Sequence, residues 1–575
     1  MKRKFENSYT GSLIPAPTQS ASKRPKLLDQ NWKRFSETTL ADTKVTNYYI
    51  LPKEHLKEQE WIYYRKYVTL QPNLGFFAQR GSMFKRAPKR YKCYIEHKDN
   101  GFIALPSAFG RYVFGPPEKD ESTVSPLDEK IQFGGKLQTS GPNINVNQQP
   151  CADAIQAAAK DPQFRGGTFV LPTGAGKGVL IPYAISVFRQ RSLYVVPNRM
   201  LLLQATQDVA KLLPGAKVEF LNTTEMYKTK RDRLLVADVV VISLHSLAGC
   251  NYPDEFFEQF GSVHFDEMHL VPSATLRKAF DRVGRIRIKC GWTATAERPD
   301  DMQEMFPLYL GPVVYCDLTP TAVSSFIEVH AIPFSGGRQV IATKPNPDRP
   351  NGEMIDALGT VRALVQDDAR NDAIVDILCR CIDAGRKTIC FTEFNDHALI
   401  LLEKVKAKKA QAKLIHAHQG TPKEERETIF NEAQDVLFAT PKLIGFGVNI
   451  LWCDTLVLAI PISGLIKVNQ FSGRLRYPKE CDVCKKLKFR NGHMLLIFDI
   501  VDEFAEIDMF QKWYRKRTVV YKGKGYKEVI KSKHRTSMPD IWSTGSSSSN
   551  SNSAPQDPVN TKVPNGAYCC CSRSI

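Results

Sequence analysis

At 575 residues the chain is too long for a single hydrophobic core, and two to four domains are expected. Its 79 Lys and Arg outnumber 60 Asp and Glu, a formal +19, a surplus that favours polyanions, nucleic acid first and an anionic membrane second; a basic tail on an ordinary surface is the plainer alternative. Fourteen cysteines lack any framework spacing, and Met1 leads into Lys2, Arg3 and Lys4 rather than an apolar run, so free thiols in a reducing interior are expected and a disulfide scaffold is not.

Residues 1–40 are rich in Ser, Pro and Lys and carry "KRK" and "SKRPKLL", basic clusters of the nuclear-import type. They read as a disordered basic tail. Residues 41–140, with short apolar runs such as "RYKCYIEH" and "GFIALP", read as a small β-containing domain. From 141 the pattern changes to short apolar strands alternating with helical segments: "GTFVLP", "SLYVVPN", "VVVISLH", "SVHFDE" and "CGWTATA". A break rich in Pro, Gly and Asn spans about 318 to 350. The alternation then resumes with "KTICFTEF", "AKLIHAH", "DVLFATP", "TLVLAIP" and "HMLLIFDIVD".

Nearly continuous apolar strands separated by helices imply parallel sheets covered on both faces. The fold class is therefore α/β, with one lobe over 141–318, a second over 319–525 and a cleft between them; 526–575, with "STGSSSSNSNSAPQDP", reads as a disordered tail. Leu443 to Ile466 is apolar enough to imitate a membrane span, but Asn449, Asp454 and Pro461 within it favour buried strands and loops.

Chemistry is expected just beyond the carboxyl ends of parallel strands. After "GTFVLP" comes Thr173-Gly174-Ala175-Gly176-Lys177. Its glycines let backbone N–H groups turn around phosphate oxygens, a helix N-terminus adds positive potential, and Lys177 is placed to contact the β- and γ-phosphates. The next residue is Gly178, where a Ser or Thr hydroxyl would ordinarily hold Mg²⁺. Pro182 crowds the carbonyl of residue 178, so the first helical turn is expected to be bent and a poor host for a β-branched side chain.

In "SVHFDEMH", Asp266 at a strand end is suited to hold Mg²⁺ through water, and Glu267 to orient or deprotonate an attacking water. Thr293 and Thr295 in "GWTATAERPD" are suited to hydrogen-bond that acidic loop and relay nucleotide state. In the second lobe "QFSGRLRYP" supplies Gln470, Arg474 and Arg476, an arginine across a cleft being able to neutralise charge developing on a γ-phosphate. Cys481, Cys484 and His493 lack the fourth ligand of a zinc site, and reduced cysteines are expected there.

In this order, "TGAGK", "DEMH", "TAT", "FAT…GFGVN" and "QFSGR" resemble superfamily 2 helicases of the DExH type, and look most like the XPB/UvsW-like group of large DNA viruses. The resemblance covers 140 to 525 firmly and 60 to 140 loosely. It implies two RecA-like lobes, ATP and Mg²⁺ as cofactors, and coupling of hydrolysis to movement on nucleic acid, with DNA favoured over RNA. It also implies transcription, repair or replication proteins as partners and no membrane.

By the same resemblance, Gln149 in "NQQPCADAI" would read adenine, and the loop would bind nucleotide through Thr173, Gly174, Ala175, Gly176, Lys177 and Gly178. Pro197, Asn198, Arg199 and Gln204, with Ser243 to Ser246 and Thr440, would contact the nucleic-acid backbone, and His269 and Gln470 would couple hydrolysis to lobe movement. The sequence departs from the family at Gly178, at Asn449 where a motif-V aspartate is common, and at Arg476, which comes one residue early and leaves Tyr477 in the usual finger position. An RNA helicase with the same engine and a hydrolysis-deficient nucleic-acid scaffold are the alternatives. The basic tail points to the nucleus, or else to a cytoplasmic viral replication site.

Overall fold

The computed structural model describes residues 32–529 apart from 73–89, 98–100, 140–145, 173, 200, 271–272, 296–297, 299, 320–323, 325–326, 347–351, 419, 441–442, 444–449, 451, 463–474 and 476–494. It divides into two compact units, Met1–Thr319 and Pro320–Ile575.

The first unit opens with β1 (Lys44–Val45), β2 (Tyr49–Pro52), β3 (Thr69–Leu70), β4 (Tyr91–Lys92), β5 (Ile95–His97), β6 (Phe102–Leu105) and β7 (Lys119–Asp120). Five of these form a sheet in the order β5-β6-β2-β1-β7, antiparallel except where β1 meets β7, and β3 pairs with β4 separately. This region has no core of its own. Val45, Tyr49, Phe109 and Phe114 share one apolar cluster with Leu193, Phe265 and Met302 of the following lobe, because two-residue strands bury too little surface to stand alone.

Folding also starts before residue 41. Trp32 packs edge-on against Phe109 with ring centroids 5.0 Å apart, and Phe35 lies against Phe114. Nor does a boundary fall at 140, since Leu127 and Ile131 sit in the core beneath the next sheet.

That sheet comprises β8 (Gly166–Val170), β9 (Ser192–Val196), β10 (Val218–Leu221), β11 (Val239–Ser243), β12 (Ser262–Phe265), β13 (Ile288–Thr293) and β14 (Val313–Cys316). All neighbours are parallel, in the order β10-β11-β9-β12-β13-β8-β14. Every residue of β8, β9, β11, β12 and β13 is buried, as expected when helices cover both faces.

In the second unit β15 (Ile327–Phe334) is followed by the antiparallel hairpin of β16 (Thr343–Pro345) and β17 (Glu353–Ile355), then by β18 (Thr388–Phe391), β19 (Leu414–Ala417), β20 (Val436–Ala439), β21 (Thr455–Leu458), β22 (Leu495–Asp502) and β23 (Lys527–Val529). Seven of them form a parallel sheet, β19-β20-β18-β21-β22-β15-β23. Numbered from its own first strand, each lobe reads 3-4-2-5-6-1-7, so the second lobe repeats the topology of the first. The stretch expected to be a break between lobes contains β15, next to last in its sheet, and the expected tail from 526 begins with its edge strand. Buried ion pairs tie this lobe together. Arg370 holds Asp502 at 2.6 and 3.1 Å, and Arg517 holds Asp499 at 2.8 and 2.9 Å.

Leu443 to Ile466 includes β21, and among the described residues no helix is long and apolar enough to cross a membrane.

Candidate active site

Strand order builds the site. Within β12-β13-β8 the middle strand separates the loop after β8 from the acidic loop after β12, and the carboxyl ends of all three face the same edge. The turn leaving β8 needs its glycines: Gly174 and Gly176 have φ of 85° and 79°, a region that side-chain-bearing residues avoid. A Cβ on Gly176 would also collide with Gln148 Nε2. Ala175 is buried, and the helix Lys177–Phe188 starts at the end of the loop. Thr173 lies outside the described residues.

The ammonium of Lys177 is buried and sits 2.7 Å from Glu267 Oε1. Glu267 takes φ of 46°, a left-handed conformation costing a non-glycine residue about 1 kcal/mol, which is kept where the Glu267 carboxylate reaches both Lys177 and His269. Its other oxygen is 3.4 Å from His269 Nδ1, and that nitrogen is 2.8 Å from Thr293 Oγ1 at the end of β13. The Thr293 hydroxyl donates to the Thr295 carbonyl at 2.8 Å and accepts from Thr295 N at 3.1 Å. With its proton committed there, Thr293 accepts from His269, which fixes the Nδ1–H tautomer. Burial pushes His269 down to about 4, so the ring is neutral at pH 7. Burial, with the neighbouring Glu267 charge adding to it, pushes Asp266 up to about 7; one of its oxygens accepts from Glu267 N at 2.9 Å. Lys177, Glu267, His269 and Thr293 therefore form one continuous chain across three strand ends.

Several expectations need correction. Gln149 turns away from the loop and donates to Asp153 on its own helix at 2.7 Å. The glutamine at the phosphate loop is Gln148, which is buried, donates to the Ala175 carbonyl at 2.9 Å and accepts from Gln138 N at 2.9 Å. Helical periodicity distinguishes the two, for Gln148 shares a face with buried Cys151, Ala152 and Ile155 at spacings of three, four and seven. Gly178 is not a forced glycine. Its φ is not positive, and a Cβ there meets nothing within 4 Å, so Pro182 is accommodated in the helix without closing this position to a side chain.

Thr295 contributes its backbone, while its buried hydroxyl finds no partner among the described residues. Ser243 is fully buried, and its hydroxyl caps a helix by accepting from Ser246 N at 3.2 Å. With its amide oxygen turned to the guanidinium, Asn222 accepts from Arg199 Nε at 2.8 Å and donates to Ser243 Oγ at 3.3 Å. Ser243 thus props Arg199 instead of facing a strand itself. Arg199 is exposed, Asn198 and Gln204 are half-buried, and Pro197 is buried at the end of β9. Thr440 is buried just after β20. Gln470, Arg474, Arg476, Asn449, Tyr477, Cys481, Cys484 and His493 lie outside the described residues.

Asp266 tests whether Mg²⁺ fits. Among the described residues no cluster of three metal-ligating side chains exists. One carboxylate at a strand end, completed by phosphate oxygens and water, is nevertheless an ordinary Mg²⁺ donor set, and Asp266 supplies it.

Residues 142–298 match the family described as type III restriction enzyme, res subunit, and residues 369–477 match the helicase conserved C-terminal domain. A mimivirus protein (Acanthamoeba polyphaga mimivirus), provisionally named an ATP-dependent RNA helicase, is 26% identical over 237 residues, 40% of this chain and 42% of that protein. A protein of African swine fever virus with the same provisional name is 29% identical over 247 residues, 42% of this chain and 45% of that one. DNA 3′-5′ translocase XPB2 of Sulfurisphaera tokodaii is 31% identical over 170 residues, 28% of this chain and 34% of that one. The matches thus span less than half the length of these relatives. Among solved structures, T4 UvsW is similar with a TM-score of 0.30 and 16% identity over 83% of this chain and 96% of that one. Both helicase domains are present in order, each on its own sheet of repeated topology, and the chain belongs to the superfamily 2 helicases.

Proposed function

We propose that the chain is an ATP-dependent DNA translocase or helicase. The observation that carries this reading is the chain from Lys177 through Glu267 and His269 to Thr293, which joins a phosphate-binding loop to a general base and then to a strand end. Gln148 and the loop backbone would hold ATP. Lys177 would exchange Glu267 for the terminal phosphates, leaving Glu267 to accept the proton of the attacking water. Neutral His269 would report that exchange to Thr293. Mg²⁺ held by Asp266 would, when bound, offset charge developing on the phosphate oxygens. By the helicase resemblance, Gln470, Arg474 and Arg476 would take part in hydrolysis and in its coupling to movement along a strand. Asn198, Arg199, Gln204 and Thr440 would meet the nucleic-acid backbone, with Pro197 shaping the turn that carries them, so affinity would depend strongly on salt and weakly on sequence.

DNA is favoured by the similarity to an archaeal protein named as a DNA translocase, and viral transcription, repair or replication is the setting we infer. RNA is the second reading, supported by the names of the viral relatives. The basic clusters within residues 2–28 point to the nucleus, with a cytoplasmic viral replication site as the alternative. The deciding experiment measures ATP hydrolysis with single-stranded DNA, duplex DNA and RNA as stimulators, and unwinding of matched DNA and RNA duplexes. Stimulation and unwinding by DNA, abolished in Lys177→Ala, are expected. Stimulation by RNA alone would transfer the function to RNA, and no hydrolysis even at high Mg²⁺ would leave a binding scaffold.

A further inference from the structure

The helix Met509–Gly523 of the second unit carries charge that the hydrolysis site does not use. From Met509 to Lys527 the sequence has seven cations, Lys512, Arg515, Lys516, Arg517, Lys522, Lys524 and Lys527, and no acid. Arg517 turns inward to Asp499 and the Ile462 carbonyl. Lys512, Arg515, Lys516 and Lys522 are exposed, at helical spacings of three, four and ten from Lys512, with exposed Val519 between them. They therefore share one face and, at 1.5 Å per residue, extend over about 15 Å.

On another helix of the same unit, and at Arg231, exposed cations are matched by acids. Lys404 meets Asp368 and Asp372, Lys408 meets Asp376, Lys409 meets Asp383, and Arg231 meets Glu255. On this helix the one acid in reach is Asp508, which pairs with Lys512 at 2.9 Å and lies in the field of Arg515. Among the described residues Arg515, Lys516 and Lys522 form no ion pair. The helix dipole accounts for Lys522 in the last turn. It does not favour Lys512 near the start of the helix, and Arg515 and Lys516 lie mid-helix, beyond its reach. The chain thus holds cations where they do not help the helix.

The helix runs from the carboxyl end of β22 back to the start of β23 and buries Tyr514, Val520 and Tyr521, so its outer face lies along the flank of the lobe and apart from the carboxyl edge that bears Thr440. We propose that this stripe is a second nucleic-acid contact, one that grips the phosphate backbone of duplex DNA. A duplex strand places one phosphate per 3.4 Å of axis, so about 15 Å presents roughly four phosphates to four cations. A rigid row of charges suits a stiff duplex better than a flexible single strand. The inference rests on the reading of the chain as a nucleic-acid motor and adds where flanking duplex is held.

The test compares the full chain with a variant carrying Arg515→Gln, Lys516→Gln and Lys522→Gln, and with a charge-matched control carrying Lys404→Gln, Lys408→Gln and Lys409→Gln. Binding of a 20-base-pair duplex and of a 20-nucleotide single strand is measured across a salt series, with thermal unfolding and basal ATP hydrolysis as checks on the fold. The stripe variant is expected to reduce the salt slope for duplex by close to 3 and to weaken duplex binding roughly a hundredfold near 0.1 M salt. The control slope and the basal hydrolysis of both variants are expected to stay unchanged. An unchanged slope in the stripe variant, or an equal drop in the control, overturns the duplex contact and leaves the motor reading standing. A loss confined to the single strand, or to binding of anionic phosphatidylserine vesicles, also overturns it. Failure of the unmodified chain to bind any nucleic acid overturns both.

Discussion

Replacing Gln148 by Ala tests the assignment of the glutamine at the phosphate loop. In the structure its amide bridges two segments: Nε2 donates to the Ala175 carbonyl at 2.9 Å, and Oε1 accepts from Gln138 N at 2.9 Å. Two hydrogen bonds of about 1 kcal/mol each would be lost. Gln138 is exposed, so water can replace the partner of its N–H, but the Ala175 carbonyl is buried and would be left unsatisfied, adding about 1 kcal/mol or more. The expected destabilisation of the first unit is about 2–3 kcal/mol. Ala175 lies between the two left-handed glycines, so the loop should lose order, and if half of that energy acts on nucleotide binding the KM for ATP rises about tenfold. Gln149→Ala removes an exposed contact with Asp153 at a helical spacing of four, worth about 0.2–0.5 kcal/mol, and should leave KM within twofold. Thermal unfolding and steady-state ATP hydrolysis of the two variants are the assays. A large KM effect for Gln149→Ala with none for Gln148→Ala would refute the reasoning.

Four further outcomes are expected. Gly178→Ser places a hydroxyl where a Cβ meets nothing within 4 Å, and should lower the Mg²⁺ concentration at half-maximal hydrolysis; an unchanged Mg²⁺ titration would mean the missing hydroxyl is immaterial. Thr293→Val keeps the buried volume but removes the oxygen that accepts from His269 at 2.8 Å; kcat and its stimulation by nucleic acid should fall roughly fivefold to tenfold, equivalent to about 1 kcal/mol, with KM for ATP unchanged. Lys289 is buried, which pushes its ammonium down to about 7 from 10.5, so the folded state loses its proton before the unfolded state does and stability rises with pH between about 7 and 10. Lys289→Met should therefore stabilise the first unit at pH 7 and below and flatten that rise in unfolding midpoint, and an unaltered pH profile would show that burial does not depress the Lys289 ammonium. Arg370→Ala strands Asp502 in the interior and should cost the second unit about 3–5 kcal/mol, with Arg370→Met combined with Asp502→Leu recovering much of it in chemical denaturation.

Ten strands were legible as apolar runs, and all ten lie in the two parallel sheets. Most of the runs were visible because helices bury both faces of these strands and keep them largely apolar; β19, an edge strand, is half-buried and was legible from Leu414 and Ile415. β10 and β14 are edge strands whose residues are largely half-exposed, and β23 follows a stretch of lysines, so none stood out as an apolar run. β15 carries Glu328, His330 and Pro333 in its eight residues and fell within the stretch read as a break in the alternation; Pro333 is tolerated because it sits near the end of the strand, past its pairing with β23. At the site, residue types at strand ends pointed to Lys177, Asp266, Glu267 and Thr293, and the family resemblance pointed to His269. The sequence did not show that Gln148 rather than Gln149 hydrogen-bonds the loop, or that Ser243 caps a helix, because direction of burial, not residue type, decides those contacts.

The sequence by itself determined the chemistry and the class: a glycine-rich loop ending in Lys177, an acidic strand end at Asp266 and Glu267, and tandem α/β alternation are all local patterns that survive in one dimension. Only the tertiary structure decided which groups meet. β12, β13 and β8 are far apart in the chain and neighbours in the sheet, so the bond from His269 to Thr293, the fusion of the N-terminal strands into the core of the first lobe and the repeated 3-4-2-5-6-1-7 order arise from long-range pairing. Hydrophobic periodicity encodes how each strand is buried and carries no record of which strand will lie beside it.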